Sequence, residues 1–531
     1  MRCDAVVIGA GHNGLVCGAY LARVGLRVAI LERRDVLGGA ASSEELWPGH
    51  RISRGAYVAG LLRPAVVREL RLAERGLRLL RRAPSSFTPL PDGRGLLLGA
   101  DVAQSCASIR RFSVRDAVAY PDYEALLDRV ARWLEPLLDE TPPDPPRLRA
   151  RDLALAWRIA RGAFALRRDL PEIASLLLGP ARATLEGWFT SEPLRATLAT
   201  DAVIGAFAPP SAAGTGYVLF HHVMGETHGE RGVWSYVEGG MGRLADALEG
   251  AAREAGAEIL RGTEVTRVRI ARGRAQGVAL ADGREIEAPL VVSNADPRRT
   301  LFDLAGREHL PERVARSLDA LDFRSGSAKL NLVLDRLPSF RGSAPGAGPE
   351  HRGTIHLGAY DLDAIESAFG AADAGRLPER PIVELTLPSA LDPSLAPPGR
   401  IVASMFVQYV PPSLPSSAWD ALRGELSARC FAMADEVAPG FSESVRECEV
   451  LAPPDLESLF GLSGGHIFHG AMSLDRLLFL RPVPGLAPYR TPVGGLYLCG
   501  AGTHPGGGVM GASGRNAARE ILRDHGRKRA E

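Results

Sequence analysis

Glycines 9, 11 and 14 form a G-x-G-x-x-G, and Glu32 follows 23 residues after Gly9. Residues of these types at this spacing can hold a dinucleotide. Gly9 permits a tight turn, Gly11 lets the main chain approach a pyrophosphate, and Gly14 lets a following helix pack close to the preceding strand. His12 and Asn13 lie in the loop that opens this helix, whose free N–H groups and partial positive charge favour phosphate. The Glu32 carboxylate, with Arg33 beside it, can accept hydrogen bonds from a ribose diol and would repel a 2′-phosphate. Side chains that could handle protons lie far along the chain: Lys329, His466 and His469 in the run GGHIFHG, and His504 in a glycine-dense turn.

The elements that must position these groups are legible around them. Residues 4–8 read as a buried parallel strand, 15–24 as a helix closed by Gly25, and 26–31 as a second strand ending at Glu32. Gly38 and Gly39, with Ala40 next, stand six residues and more beyond Glu32. At the other end of the chain, 494–500 reads as a strand, 501–509 as a turn and 510–523 as a helix. Gly500, Gly502, Val509 and Met510 thereby form the second half of a composite cofactor site.

With 46% hydrophobic and 24% charged residues, the 531-residue chain can bury a large core. A net charge of +1 gives no electrostatic basis for nucleic-acid binding. Six scattered cysteines without a C-x-x-C argue against a redox dithiol, a zinc site and a disulfide framework, and fit a reducing compartment. The N-terminal apolar segment is broken by five glycines between 9 and 25, which the dinucleotide motif explains better than a signal peptide does. No apolar run reaches membrane-spanning length, so a cytoplasmic protein is expected.

Residues 44–60, with Trp47, His50 and Arg51, read as irregular. A hairpin is expected around Pro91-Asp92-Gly93, an amphipathic helix over 123–138 and a proline-rich linker over 141–146. Residues 153–168 read as a second helix with Arg158, Arg161, Arg167 and Arg168 interspersed among apolar residues. Two readings stand for it: a helix capping the substrate domain, or one lying on an anionic membrane surface, removed by failure to sediment with anionic liposomes. A glycine turn at 239–242 leads into a helix over 244–255. Short strands to 292, with the D-G turn at 282–283, then read as a β-meander rejoining the first sheet. Residues 327–334, 382–387 and 401–409 read as strands of a separate sheet, and 419–437 as a helix.

The L-E-x-x-x-x-x-G-G pattern from Leu31 to Gly39 resembles the extended fingerprint of FAD enzymes of the amine oxidase and phytoene desaturase type. SNADP at 293–297, DPSLAPPG at 392–399, GGHIFHG at 464–470, YRTP at 489–492 and the block LYLCGAGTHPGGGV at 496–509 extend the resemblance over the whole chain. It is to the phytoene-dehydrogenase-like flavoproteins, which include bacterial carotenoid desaturases and isomerases. Within them it is to the branch called pyridine nucleotide-disulfide oxidoreductase domain-containing proteins. That branch name does not suit this sequence, which lacks a C-x-x-C and a second nucleotide motif. The resemblance implies non-covalently bound FAD rather than NAD, with Gly38 and Gly39 near the pyrophosphate, the backbone at Val265 near the adenine, and residues 44–60 near the flavin ring. It also implies a final helix aimed at the flavin N1–C2=O edge. Many FAD enzymes carry an acid after the glycine at 502; here Thr503 follows, so the ribityl contact must come from elsewhere.

Removing hydride needs little beyond placing a C–H over flavin N5 and excluding water. Lys329 is read either as a lysine holding a water against N5, as in amine oxidase-like folds, or as an ordinary sheet-edge lysine. His504 is either a proton donor at the flavin edge or a residue fixing its turn. His466 and His469 face a substrate cavity or fill structure, and they form no metal site, for want of a third ligand. His221, His222 and His228 read as surface or core residues.

The expected fold is α/β: a Rossmann-like FAD-binding domain (1–60, 235–300, 490–531) interleaved with an α+β substrate domain (61–234, 301–489). The expected reaction is dehydrogenation or isomerisation of a hydrophobic, polyene-like small molecule, with a quinone or O₂ taking the electrons. The alternatives are oxidation of a small amine, for which no paired aromatic motif is visible, and a non-catalytic FAD-stabilised interaction protein. Neither the oligomeric state nor the substrate follows from the sequence.

Overall fold

The structure, a computed structural model, describes residues 1–145 and 148–526; Pro146 of the expected linker and residues 527–531 of the C-terminal segment lie outside the described residues. Ala5–Ile8, four buried apolar residues, is the middle strand of a five-stranded parallel sheet. Its neighbours are Val28–Leu31 and Leu290–Ser293, with Glu258–Leu260 and Leu496–Leu498 at the two edges. A parallel strand is covered on both faces, so its sequence is an unbroken apolar run rather than an alternation. One face packs on the helices His12–Arg23 and Gly242–Glu254 and on the final helix, Ala512–Asp524. The other face is covered by the antiparallel meander Val265–Ala271, Arg274–Leu280 and Glu285–Glu287.

The two helices that flank the cofactor motifs touch through glycine. A Cβ on Gly514 would lie 2.2 Å from the Asn13 carbonyl oxygen, and the Gly514 N–H donates to Asn13 Oδ1 at 3.3 Å. The strand of the C-terminal block is shorter than the expected 494–500, because Gly494 and Gly495 approach Gly273 and Pro289 as a turn.

A second, seven-stranded sheet runs in the order Val445–Leu451, Ser327–Leu334, Ile401–Gln408, Ile382–Thr386, Thr354–Leu357, Ser86–Pro89, Gly95–Leu98. All eight residues of Ser327–Leu334 are buried, and the strand has a partner on each side. Lys329 is therefore not a sheet-edge lysine. The helix Ser416–Val437 covers this sheet, and a helical layer between residues 102 and 223 closes the other side of the substrate region.

Three local expectations are corrected. Residues 44–60 are not wholly irregular: Ser43–Trp47 and His50–Ser53 form a hairpin. The helix expected from 123 starts nine residues earlier, as Val114–Leu134, with the Ser113 hydroxyl capping the Asp116 N–H at 3.1 Å; Pro121 is carried inside it. The helix expected over 153–168 is Ala150–Ala165, opened by Asp152 accepting from the Arg149 N–H at 2.8 Å. Leu155 of this helix is buried, whereas Leu153, Trp157 and Phe164 are 63–70% exposed, so the helix has no single covered apolar face.

Candidate active site

One cavity of about 880 Å³ joins the nucleotide motifs to the space beside the seven-stranded sheet. Its first part is a cradle at the C-terminal ends of the parallel strands, where open α/β sheets bind ligands. Gly9 has φ +87°, and a Cβ on Gly14 would lie 2.1 Å from the Gly9 carbonyl oxygen. A Cβ on Gly11 would lie 2.5 Å from Nδ2 of Asn294, a side-chain end that can shift, so it is the main-chain contact at Gly14 that lets strand, turn and helix close together only with hydrogen there. Gly38 and Gly39 continue the cradle at φ +102° and +58°. Glu32 accepts from the Ala10 N–H at 2.9 Å and the Arg34 N–H at 3.1 Å, which fixes its carboxylate at the cavity wall. Arg33 donates to the carbonyls of Ser458 (2.6 Å) and Leu459 (3.0 Å) and also lines the cavity.

Of the residues singled out from sequence, Gly9, Gly11, His12, Asn13, Glu32, Arg33, Gly38, Gly39, Ala40, Val265, Val509, Lys329 and His469 are brought to this one cavity. Gly14, Gly500, Gly502, Met510 and His504 are not among its lining. Gly14 and Gly500 serve close packing instead, Gly500 against the Asn294 carbonyl, where a Cβ would sit at 2.5 Å. A Cβ on Gly502 would meet Pro297 at 2.4 Å. Met510 is buried with Leu61 and Ala512, and its carbonyl accepts from the Arg63 N–H. The His504 ring is drawn away to the Leu137 carbonyl at 2.8 Å, and its own carbonyl accepts from Tyr489 Oη and Ser513 Oγ, both at 3.0 Å. Within the stretch 44–60 it is residues 55–58 that line the cavity, whereas Trp47, His50 and Arg51, in the hairpin, do not.

Lys329 reaches from its inner strand to the carbonyls of Ser53 (2.5 Å) and Gly55 (2.6 Å), and Gly55 abuts Ala40 of the cradle. Burial pushes its ammonium down to about 7, with the Glu449 carboxylate opposing. The Tyr57 ring lies 4.9 Å beneath the same nitrogen, and Tyr57 Oη donates to Glu384 at 2.9 Å. His469 and His12 are electrostatic neighbours across the cavity, each lowered to about 4 chiefly by burial and so neutral. His12 Nε2 and His469 Nδ1 are buried without hydrogen-bond partners among the described residues. A nucleotide cofactor in the cradle is the kind of group that would satisfy them. The glycine-lined turn, the fixed carboxylate and these orphaned nitrogens fit FAD.

Sequence reasoning missed several residues that build the site. Arg481, 2% exposed, donates to the carbonyls of Phe468 (2.7 Å), Ala501 (3.0 Å), Ala471 (3.1 Å) and Thr503 (3.2 Å), tying the His469 loop to the C-terminal block. Burial lowers its guanidinium only to about 10, so it stays charged at neutral pH. Tyr57, Glu124, Asp201, His356 and Glu384 line the chamber from separate elements and carry no local motif. Burial raises the Asp201 carboxyl to about 7, Arg82 opposing and Glu124 adding to the rise. Burial together with Asp201 raises Glu384 to about 7 against the pull of Tyr57 and Arg82. Among the described residues no metal-binding cluster occurs and no helix is long and apolar enough to cross a membrane.

The family model described as flavin containing amine oxidoreductase matches residues 14–362. Pyridine nucleotide-disulfide oxidoreductase domain-containing protein 2 of Rattus norvegicus is 47% identical, over 98% of this chain and 93% of its own. Hydroxyneurosporene desaturase of Cereibacter sphaeroides is 29% identical over 98% and 97%. The solved cyclohexylamine oxidase of Brevibacterium oxydans shares the fold, with a TM-score of 0.57 at 16% identity over 99% of this chain and 100% of that one. The chain thus belongs to the flavin containing amine oxidoreductase family and is an FAD-dependent oxidoreductase of the amine oxidase and desaturase type.

Proposed function

We propose that the protein dehydrogenates a hydrophobic small molecule held in the chamber beside the seven-stranded sheet, with a quinone or O₂ as final electron acceptor. The observation that carries this reading is the continuity of the nucleotide cradle with a chamber walled by apolar side chains such as Leu127, Leu198, Ile204, Leu219 and Phe406. FAD, when bound, supplies a hydride acceptor. Glu32 and the glycine turn hold the nucleotide, and the apolar walls orient the substrate and keep water out. Lys329, pinned by two carbonyls where residues 53–56 meet Ala40, is the group suited to hold or pass a proton, because at neutral pH it is close to half-protonated. His469 is the second such candidate; His504, turned to Leu137, is not. The chain divides by function into an FAD unit (1–60, 235–300, 490–531) and a substrate unit (61–234, 301–489).

A desaturase relative that aligns along the full length supports dehydrogenation of a hydrophobic molecule. The experiment is to supply the FAD-loaded protein with fractionated lipid extract and a quinone, and to search by mass for a product two hydrogens lighter. Such a product from an apolar fraction is expected. Turnover confined to small amines would replace this reading with amine oxidation, and an isomer of unchanged mass would replace it with isomerisation.

The exposed stripe Leu153, Trp157 and Phe164 supports peripheral contact with anionic lipid. Arg161 lies over the Trp157 ring at 5.5 Å and Arg167 over Phe164 at 5.0 Å, so apolar and cationic groups share one face. Sedimentation with anionic liposomes at low salt, lost in Trp157→Ser/Phe164→Ser, is expected. A protein left in the supernatant excludes the contact.

A further inference from the structure

Outside the nucleotide cradle the same cavity is lined by Asp128 and Glu230, each paired with arginine, and by three further carboxyl side chains from three separate elements. Glu124 comes from the helix Val114–Leu134, Asp201 from the end of Glu192–Thr200, and Glu384 from the strand Ile382–Thr386. Asp201 is the electrostatic neighbour of both Glu384 and Glu124. The cation acting on Asp201 and Glu384 is Arg82, but its donors are directed to Thr354 Oγ1 and the carbonyls of Ser85 and Arg352, and its face covers the Tyr236 ring at 5.1 Å. Gathering carboxyls at a buried wall without a matching set of cations is costly. Neither the cradle nor hydride removal uses them.

A second observation points to a ligand. Tyr123 is 1% exposed and lines the cavity next to Glu124 and Asp201, yet its hydroxyl has no hydrogen-bond partner among the described residues. A buried phenol normally finds one. The chamber is therefore not uniformly apolar, as a plain hydrocarbon would require. It has apolar walls and one wall of hydrogen-bond acceptors, reached from the cradle by way of Lys329, Tyr57 and Glu384.

We propose that this carboxyl-lined wall seats a polar end of the substrate, that this end is a hydrogen-bond donor (a hydroxyl or a protonated amine) on a long apolar body, and that a carboxylate end is rejected. A donor satisfies the carboxyl oxygens and the Tyr123 oxygen together. A carboxylate would meet three carboxyl groups, and the cations that line the cavity nearby are engaged: Arg82 as above, Lys329 with the Ser53 and Gly55 carbonyls, and Arg231 with Asp128 and Glu135. Carboxyls raised toward neutrality by burial can accept from a hydroxyl as they stand, or ionise and pair with an ammonium by releasing a proton. The inference rests on the chamber being the substrate site, and it narrows the substrate class from hydrocarbon to amphiphile.

The test measures binding to the FAD-loaded protein, without turnover. Dodecane, dodecanol, dodecylamine and dodecanoate, each below its micelle-forming concentration, are titrated while the visible spectrum of the bound flavin and the heat of binding are followed. The alcohol or the amine is expected to bind about tenfold or more tighter than dodecane and dodecanoate, the effect of one well-made buried polar contact. That preference is expected to fall to about threefold or less in Asp201→Asn/Glu384→Gln. Proton release seen with the amine, from heats in buffers of different ionisation enthalpy, assigns a cationic end; a tighter alcohol without proton release assigns a hydroxyl. Dodecanoate binding as tightly as the other probes, or a preference that survives the double variant, overturns the inference while leaving the chamber reading in place. Failure of every probe to bind overturns the chamber reading itself. If the double variant does not retain FAD, Asp201→Asn alone, checked for flavin content, carries the comparison.

Discussion

Replacing Lys329 by methionine is expected to flatten the pH dependence of stability in a way that can be calculated. The ordinary lysine value is 10.5 and burial holds this one at about 7. Between those values the unfolded chain binds a proton that the folded chain does not, so the free energy of unfolding of the wild type rises with pH there by about 1.4 kcal/mol per pH unit. Below about 7 both states carry the proton and the full cost of the buried ammonium, about 5 kcal/mol, is present. Between pH 7.5 and 9.5 the wild type therefore gains about 2–3 kcal/mol on the methionine variant. With an unfolding entropy of about 2.1 cal/mol/K per residue, or about 1.1 kcal/mol/K for the whole chain, the gain corresponds to a rise of about 2 °C in melting temperature. Methionine also leaves the Ser53 and Gly55 carbonyls without this donor, a loss that offsets the relief of charge but does not vary with pH. The assay is scanning calorimetry of both proteins, FAD-loaded, in steps from pH 6.5 to 9.5 at constant ionic strength. Parallel curves, or a wild type that loses ground as pH rises, would refute the assignment of a depressed lysine at this position.

Gly11→Ala and Gly14→Ala place a Cβ 2.5 Å from Asn294 Nδ2 and 2.1 Å from the Gly9 carbonyl, and both are expected to yield protein depleted of FAD; the ratio of flavin to protein absorbance measures this, and full occupancy in Gly14→Ala would contradict the closed-turn geometry. Arg481→Met removes the shared donor of five loop carbonyls and is expected to cost about 3–5 kcal/mol, a drop of about 3–4 °C in melting temperature. His504→Ala is expected to lower the melting temperature by about 1 °C, the loss of one hydrogen bond, and to leave the flavin spectrum unchanged. His469→Ala, whose side chain lines the cavity, is expected to shift that spectrum; an effect of His504 on the flavin and none of His469 would reverse their assigned places.

The parts of the site legible in the sequence are those whose chemistry is local. Gly9 to Glu32 is one strand–turn–helix–strand unit, so the spacing of its residues in the chain already is its geometry. The C-terminal block is recognisable for the same reason, and Lys329 is marked by its place on a strand of the second sheet, where amine oxidase-like folds carry a lysine. Tyr57, Asp201 and Glu384 were invisible because their meeting depends on a hairpin exit, a helix end and a strand of the second sheet converging on one chamber. Arg481 follows a loop with no periodicity, and only the folded chain reveals the carbonyls it joins. For His504 the motif position establishes where the backbone runs and leaves the ring direction open, here toward the Leu137 carbonyl. Pro121 hid the first two turns of the long helix, whose packing against the chamber overrides the loss of one hydrogen bond.

The central claim, that one cavity holds FAD together with a hydride-donating amphiphile, is tested most directly by anaerobic titration. The yellow, FAD-loaded protein is mixed in the absence of oxygen and quinone with successive fractions of lipid extract from the producing cells, and the flavin absorbance is recorded. Bleaching by an apolar fraction, up to one equivalent per flavin, is the predicted result, with recovery of the yellow colour on adding quinone or air. A flavin left oxidised by every lipid fraction but bleached by small amines would contradict the account.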